Sequence, residues 1–479
     1  MKEQHVCIYS KNMEINYRKT IFLAIAFGTS VRDVLRNDSY RKLKANPNNQ
    51  LVVFAQDTGK AFENEFGGDN VSFEKLIPYK PTVVERVLIH FHKALLRDRC
   101  RTIDLGNTAG DTALIDKLTP LARIMLHLFG KERMNSFLDF LYRRFTSPRL
   151  YKDQFTKYKP DLVVVTRVLN YSMDYQILRQ AAAIKVPVIA LVSSWDNLSS
   201  KGFFPFGIRS LVVWNHIMKN EAIDLFNFDE SKIKVVGIPR YDLLFTRHGF
   251  TDRDTFFLNK RLDISKRLIT YATGSKTTGT TAYESKSPEP LIVDYIVDQI
   301  NNGNIPNAQL LVRLHPQADP NAYQFLANRK SVILHIPGQN ASFQDRLFSE
   351  QDDVELGETM LYSNLVINFA STISIDAAMF DTPIICVDFD FTGQRPFAVS
   401  MRRLYHFDHY RKLLEMGGIR LSSSKAELIH DINDQLNNPN QLMEGRQRMI
   451  DQQCVYRDGK SGLRIASHIE SVLSEIRQG

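Results

Sequence analysis

The chain predicts an α/β protein built as two Rossmann-like domains whose parallel sheets face a cleft. Three observations lead there. Short apolar runs alternate with helically spaced segments through the first half, which is the pattern of a parallel sheet covered on both faces. That pattern breaks over Arg247 to Asp263, a charged and aromatic stretch with weak strand signals, and then restarts. The length of 479 residues exceeds what one hydrophobic core holds and suits two domains of ordinary size. The expected division is 1–250, 251–460, and a terminal helix in 461–479 that can pack back across the cleft.

In order, Thr20 to Phe27 is an apolar run ended by Gly28-Thr29-Ser30, with a helix expected from Val31. Leu51 to Phe54 predicts a second strand, closed by Asp57-Thr58-Gly59. Val83 to Arg97 and Pro120 to Phe145 carry apolar residues at helical spacing. Pro160-Asp161 introduces a strand at Leu162 to Thr166, followed by an Ala-rich helix (Ile177 to Lys185) and a strand at Val188 to Val192. Further strands are expected at Ser210 to Trp214 and Lys234 to Val236, with a helix at Ile217 to Phe226 between them. After the break, strands are expected at Leu268 to Tyr271, Gln309 to Leu314, Ser331 to His335, Leu365 to Phe369 and Pro383 to Val387. The most loop-like stretch is Gly274 to Glu289, and there is no internal repeat.

Hydrophobic content of 43% and charged content of 24% are those of a soluble globular protein. No apolar run approaches the ~20 residues that span a bilayer, and MKEQHVCIYS lacks the apolar core of a secretion signal. The four cysteines, Cys7, Cys100, Cys386 and Cys454, have no metal spacing and read as reduced thiols, so a cytoplasmic protein is expected. The net charge of +8 suits an anionic partner. No finger, RNP-like stretch or dense basic tract points to nucleic acid. An anionic nucleotide donor together with an acidic membrane surface accounts for the charge.

The most informative segment is NLVINFASTISIDAAMFDTPIICVDFD, Asn364 to Asp390. It parses as a strand, a small turn (Ala370, Ser371, Thr372), a helix from about Ile373 to Phe380, and a second strand. A strand feeding a helix through small residues points backbone N–H groups, backed by the helix dipole, at whatever lies above the sheet edge. Ser371, Thr372 and Ser374 add hydroxyls, and the set suits a phosphate; the alternative is an ordinary helix cap. The second signal is Leu311-Val312-Arg313-Leu314-His315-Pro316, a strand ending in a cation, a histidine and a helix-forbidding proline. Open α/β sheets bind ligands at such carboxyl ends.

These two elements, in this order, resemble the carboxy-terminal half of GT-B-type transferases that use cytidine nucleotides. The whole resembles the CDP-glycerol glycerophosphotransferase-like family of bacterial surface-polysaccharide synthesis. Val235-Val236-Gly237-Ile238-Pro239-Arg240-Tyr241-Asp242 is similar to that family's V-x-G-x-P-R-x-D stretch. Ser194 to Gly202 and Tyr456-Arg457-Asp458-Gly459-Lys460-Ser461-Gly462 are further matches, and the likeness runs from about Pro160 to Arg464. It implies a GT-B-like fold in which 1–250 takes the acceptor and 251–460 binds the nucleotide donor. The donor is a substrate, and no cofactor or metal is implied. Asp388-x-Asp390 is the nearest match to a metal pair, and a loop turning back to the cleft explains it more simply.

Group transfer needs the leaving phosphates stabilised, the acceptor hydroxyl deprotonated and the two partners aligned. On the donor side the resemblance implicates Ser371, Thr372 and Ser374, with His315, Pro316, Arg313 and Arg240 opposite. Gly274, Ser275 and Lys276, at the end of the strand Leu268 to Tyr271, let a backbone approach phosphates closely, or else form a surface hairpin. For proton removal the expectation falls on Asp196. The family's Thr-Trp-His-Gly appears here as Ser194-Trp195-Asp196-Asn197, which shifts weight from glycerol phosphate towards a sugar donor. Its alternative is an Asx-type turn. The acceptor is expected near Trp195, Asn197, Gly28, Thr29, Ser30 and Arg167. Leu118 to Arg149 interleaves apolar residues with Arg123, Lys131, Arg133, Arg143, Arg144 and Arg149, a basic amphipathic pair that can lie on an anionic leaflet; the alternative is an ordinary core helix with a solvated face. The expected activity is transfer of a sugar or polyol phosphate from a cytidine-linked donor to a surface-polysaccharide or lipid-linked glycan acceptor. A UDP-sugar 2-epimerase and a non-catalytic nucleotide-binding scaffold are the alternatives.

Overall fold

The computed structural model describes residues 18–26, 28–56, 58–96, 109–145, 150–167, 173–201, 206–275, 287–338, 349–397 and 400–476. Seven strands form the first sheet: β1 (Lys19–Ile25), β2 (Asn49–Ala55), β3 (Val71–Lys75), β4 (Leu162–Val165), β5 (Val188–Leu191), β6 (Ser210–Val213) and β7 (Ile233–Val235), in the order β3-β2-β1-β4-β5-β6-β7. Six form the second: β8 (Arg267–Ala272), β9 (Ala308–Arg313), β10 (Val332–His335), β11 (Leu365–Asn368), β12 (Ile384–Val387) and β13 (Arg420–Ser422), in the order β10-β9-β8-β11-β12-β13. Every pairing is parallel. Strands β4, β5, β6, β9, β11 and β12 are buried at every position, as in Leu162–Val165 and Ile384–Val387, because helices cover both faces.

The structure adds elements that periodicity did not announce. β3 and β13 are edge strands: β3, Val-Ser-Phe-Glu-Lys, is a half-buried alternation of apolar and polar residues, and three-residue β13 is too brief for a period. The break contains a helix, Arg253–Asn259, started by Asp252, whose carboxylate accepts the Thr255 N–H. After β1 the chain makes only a three-residue helical turn, Gly28–Ser30, and then a π-helical turn over Val31–Leu35. The segment Ala109–Phe145 is two helices meeting at Gly130, whose φ of 74° interrupts the ladder.

The last helix, Ser461–Glu475, returns to the first sheet. Its Ile465, Ala466, Ile469, Val472 and Leu473 join Ile21, Leu23, Leu51 and Val53 in one apolar cluster. Its start is held by Asp242, whose two carboxylate oxygens accept the N–H groups of Ser461 (2.9 Å) and Gly462 (2.8 Å). Gly237 packs beneath the same turn with φ +94°, and a Cβ there would meet Ser461 Oγ at 2.5 Å. Two motifs more than two hundred residues apart, V-x-G-x-P-R-x-D and D-G-K-S-G, are therefore halves of one capping device. Between the domains, Gly357 in the helix Glu350–Tyr362 admits Phe250 and Leu244; a Cβ would meet the Phe250 ring at 2.3 Å.

Removing the cap exposes how much it holds. Asp242→Ala leaves two buried N–H groups without acceptors and is expected to cost about 2 kcal/mol, with Asp242→Asn costing roughly half. Urea unfolding checks this through the midpoint at unchanged m-value.

Candidate functional site

The carboxyl ends of both sheets meet at the domain junction, and the nominated residues divide between its two walls. On the second-domain wall, Ser371 and Thr372 lie half-buried at the end of β11, ahead of the helix Ile373–Met379. The turn is partly self-satisfied. Asn368 Oδ1 accepts the Ser371 N–H at 3.2 Å, and Ser371 Oγ accepts the Ile373 N–H at 3.3 Å. Ser374 lies beneath, fully buried, with its hydroxyl bonded to Asn368 Nδ2 (3.1 Å) and Tyr410 OH (2.9 Å). It supports the turn instead of lining the cleft.

His315 follows β9 and is half-exposed. Its N–H donates to Thr273 Oγ1 at 2.8 Å, which ties the ends of β9 and β8 together. Its Nδ1 accepts the Gln317 N–H at 3.0 Å, so the neutral ring carries its proton on Nε2. That tautomer makes Nε2 a donor suited to an anionic oxygen. Pro316 is half-buried beside it. Two strand spacings, about 9.6 Å, separate the β9 and β11 ends across β8.

Arg313 is placed otherwise than the sequence suggested. It is buried and turned to the outer side of β9, where Nη1 meets His335 Nδ1 at 2.9 Å and Nη2 donates to the Asp352 carbonyl at 3.3 Å. Burial lowers its pKa to about 10. His335 also pairs with Glu355 at 2.8 Å, and its Glu355 partner is held down to about 2, chiefly by that hydrogen bond. Arg313 thus belongs to a network that fixes the helix Glu350–Tyr362. Gly274 donates its N–H to both oxygens of Glu289, at 2.9 and 3.0 Å; Ser275 is half-buried, and Lys276 lies outside the described residues.

On the first-domain wall, Trp195 is buried and Asp196 half-buried beyond β5, with Asn197 opening a π-helical turn, Asn197–Lys201. Asn197 Oδ1 is buried without a hydrogen-bond partner. Arg167 sits just past β4; burial lowers its pKa, and the negative charges of Asp196 and Asp174 oppose that. Gly28 is half-buried and Thr29 exposed, while Ser30 is fully buried and turned into the protein. The Ser30 hydroxyl is therefore not available to an acceptor.

Arg240 lies between the walls. Its guanidinium stacks 4.5 Å above the Trp214 ring, contacts the Ser193 carbonyl at 3.4 Å and pairs with Asp33 at 3.6 Å. Burial raises the Asp33 pKa to about 6. Asp376, on the helix behind the hydroxyl turn, is buried, hydrogen-bonded to Tyr241 and within electrostatic range of Arg240. The walls are joined directly as well: Arg32 pairs with Asp353 at 2.5 Å, and Lys412 with Glu221 at 2.8 Å. Trp195 meets the rings of His409 (4.9 Å) and Tyr410 (5.7 Å), and Tyr410 OH reaches Ser374. One aromatic contact therefore sets the Asp196 loop against the Ser371 turn.

Asp33, Asp376, His409 and Tyr410 escaped the sequence reading. Asp33 had a signal, three residues past Ser30, and Asp376 had one in the helix after the hydroxyl turn; His409 and Tyr410 sit in a helix with no motif. Asp388 pairs with Arg402 at 3.6 Å and Asp390 accepts the Met401 N–H at 2.9 Å, so both serve a turn. Among the described residues no group of three or more His, Cys, Asp or Glu is placed to hold a metal ion. Cys386 and Cys454 are buried and free; Cys7 and Cys100 lie outside the described residues.

Two parallel-sheet Rossmann-like domains meeting at their carboxyl edges define the GT-B-like class, and this protein is a transferase of that class. The chain belongs to the family described as CDP-glycerol:poly(glycerophosphate) glycerophosphotransferase, whose model matches residues 190–471. No curated protein matches it in sequence. Among solved structures, it is similar to the Neisseria meningitidis UDP-GlcNAc 2-epimerase bound to UDP-GlcNAc (TM-score 0.53, 12% identity, covering 95% of this chain and 100% of that one). The Methanocaldococcus jannaschii UDP-GlcNAc 2-epimerase is comparable (TM-score 0.51, 14% identity, 95% and 99% covered). So is a variant of the wall teichoic acid polymerase TagF (TM-score 0.50, 14% identity, 97% and 91% covered). At such identities these likenesses speak for the fold alone.

Burial pushes Glu289 up to about 7 from 4.5, so the folded protein holds a proton there that the unfolded chain releases. The associated stability is full below pH 4.5 and is lost as pH rises through about 7, by roughly 3 kcal/mol. Glu289→Gln keeps one acceptor for Gly274 and is expected to flatten this fall, read from urea midpoints between pH 4.5 and 8.

Proposed function

We propose that this protein transfers a sugar or polyol phosphate from a nucleotide-activated, cytidine-linked donor to a surface-polysaccharide or lipid-linked glycan acceptor. The observation that carries the reading is the Trp195–Tyr410 contact, which sets the Asp196 loop of one domain against the Ser371–Thr372 turn of the other. In this reading the donor phosphates lie on the second-domain wall. The Ser371 and Thr372 hydroxyls and the His315 Nε2–H donate to their oxygens, and the loop around Gly274 and Ser275 closes over them. Arg240 supplies buried positive charge behind them. Charge that builds on the leaving phosphate is thus met by donors already oriented, the main source of rate enhancement in such transfers. Asp196 serves removal of the acceptor proton, with Arg167 beside it; Trp195 and Asn197, both buried, hold the loop that carries it. The family match over residues 190–471 supports this assignment ahead of epimerisation.

Single substitutions test it. His315→Ala and Ser371→Ala are each expected to lower donor turnover on the order of 10²-fold or more, because each removes a donor from a desolvated phosphate site. Full activity in both removes the reading. Cytidine nucleotide at 100 times its Kd should stabilise the protein by ~2.7 kcal/mol. Such binding with no turnover over a panel of acceptors supports a scaffold instead, and epimer or free UDP formed from UDP-GlcNAc alone supports an epimerase.

We further place the protein in the cytoplasm, peripheral at the inner face of the membrane. No helix among the described residues is long and apolar enough to cross a bilayer. However, Leu121, Ile124 and Leu128 are 50%, 57% and 65% exposed at i, i+3 and i+7 of one helix, and Phe140 beyond Gly130 is 58% exposed. Arg123, Arg133 and Arg144 are exposed on the same pair of helices. Apolar side chains with cationic neighbours suit an anionic leaflet. Leu128→Glu combined with Phe140→Glu should reduce co-sedimentation with phosphatidylglycerol vesicles several-fold, leaving nucleotide-induced stabilisation unchanged.

A further inference from the structure

The helix Asp408–Glu415 of the second domain reaches the first-domain wall, and Tyr410, Lys412 and His409 set its position between the two domains. Tyr410 is fully buried, with OH 2.9 Å from Ser374 Oγ and 3.1 Å from Cys386 Sγ. Lys412 reaches back to Glu221 in the helix His216–Phe226 at 2.8 Å. His409, one residue before Tyr410 and so about 100° round the helix, stands edge-on against Trp195, with ring centroids 4.9 Å apart and planes at 71°. Trp195 is buried and adjoins Asp196, so the imidazole is held at the side of the loop that carries the carboxylate. The ring itself is half-buried.

We propose that His409, carried across the domain junction, receives the proton of the acceptor hydroxyl, with Asp196 as the carboxylate that stabilises the resulting imidazolium. The inference rests on the transferase reading and names where its proton goes. An imidazole titrates near ~6.5, close to working pH, whereas a carboxylate near ~4 is a weak base for an alcohol. In the step, the acceptor O–H bond breaks and its proton passes to a ring nitrogen. The oxygen forms its bond to the donor phosphorus or anomeric carbon as the bond to the nucleotide phosphate breaks. That electron pair leaves on the phosphate oxygen, at the Ser371–Thr372 turn, and the imidazolium then returns its proton to solvent. The charged groups around this helix are Asp408, Arg411 and Lys412 on it, Glu221 on the helix behind, which Lys412 meets at 2.8 Å, and Asp196, whose charge also acts on Arg167, on the loop beside Trp195. The buried Glu221 carboxyl, raised chiefly by burial, feels both Asp408 and Asp196, which puts both in one electrostatic neighbourhood. Because base and carboxylate come from different domains, the pair exists only when the domains are docked.

The test uses the full chain with His409→Gln and Asp196→Asn. His409→Gln is expected to keep nucleotide-induced stabilisation by CDP while turnover falls on the order of 10²-fold and the acidic limb of the pH profile near ~6.5 disappears. A His409→Gln protein with wild-type turnover and an unchanged acidic limb overturns the proposal. The second measurement needs no turnover: titration of carbon-13-labelled histidine by NMR, with the His409 signal assigned by its loss in His409→Gln. Asp196→Asn is expected to lower the His409 pKa by about one; an unmoved titration overturns the pairing. Absence of turnover in the wild type on every cytidine-linked donor refutes the transferase reading, and the titration still decides the pair.

Discussion

The structure depends on a buried guanidinium between two domains. Arg240 is stacked on Trp214 and paired with Asp33 of the first domain, and within range of Asp376 and Asp353 of the second. A buried cation left without carboxylates costs several kcal/mol, so the domain arrangement that supplies both is strongly selected over one that supplies neither. Asp376 lies four residues past Thr372, in the helix that follows the hydroxyl turn. The same charge that holds the domains together therefore also sets the position of the proposed phosphate site.

Around that cation the junction is crowded with carboxylates that burial pushes up: Asp33, Asp353 and Asp376 at the floor, and Glu221 beside the Asp196 loop. Each is offset by a cation that approaches from elsewhere, as Arg32 meets Asp353 and Lys412 meets Glu221 across the domain boundary. Ion pairs removed this far from water gain little net stability but are costly to break one partner at a time. They act here as a register that fixes how the two sheet edges face each other. Trp195 and Tyr410 fill the remaining gap with apolar area, so the loop that carries Asp196 is set by that packing together with its own turn, in which the Asn197 N–H donates to the Ser194 carbonyl at 3.1 Å.

The capping of the last helix by Asp242 belongs to the same logic. The residues Pro239 to Asp242 form one short turn in which Arg240 faces the junction, Tyr241 bonds Asp376 and Asp242 receives the returning chain. A single stretch thereby couples the proposed site, the second domain and the closing helix. It also ties the Asp-Gly-rich segment around Gly459 to the start of that helix.

Most of the architecture was legible in the chain because a parallel sheet buried on both faces writes itself as continuous apolar runs. Val188 to Val192 and Pro383 to Val387 could be read from hydrophobicity alone. The strand–turn–helix at Ser371 and the strand-end His315-Pro316 were legible for the same reason, since the carboxyl end of such a strand is where the chain can leave the core. The edge strands β3 and β13 were not, because each is half-exposed and lacks the continuous apolar run of a central strand. Direction of side chains was also beyond reach: Arg313 turns outward to His335 and Ser374 inward to Tyr410, and a one-residue difference on a strand or helix decides which. The sequence alone determined the two-domain α/β layout, the family pattern and the hydroxyl turn. Only the tertiary structure decided that His409 and Tyr410 lie against Trp195, because contacts between residues more than two hundred positions apart come from the docking of two domains, which no local periodicity encodes.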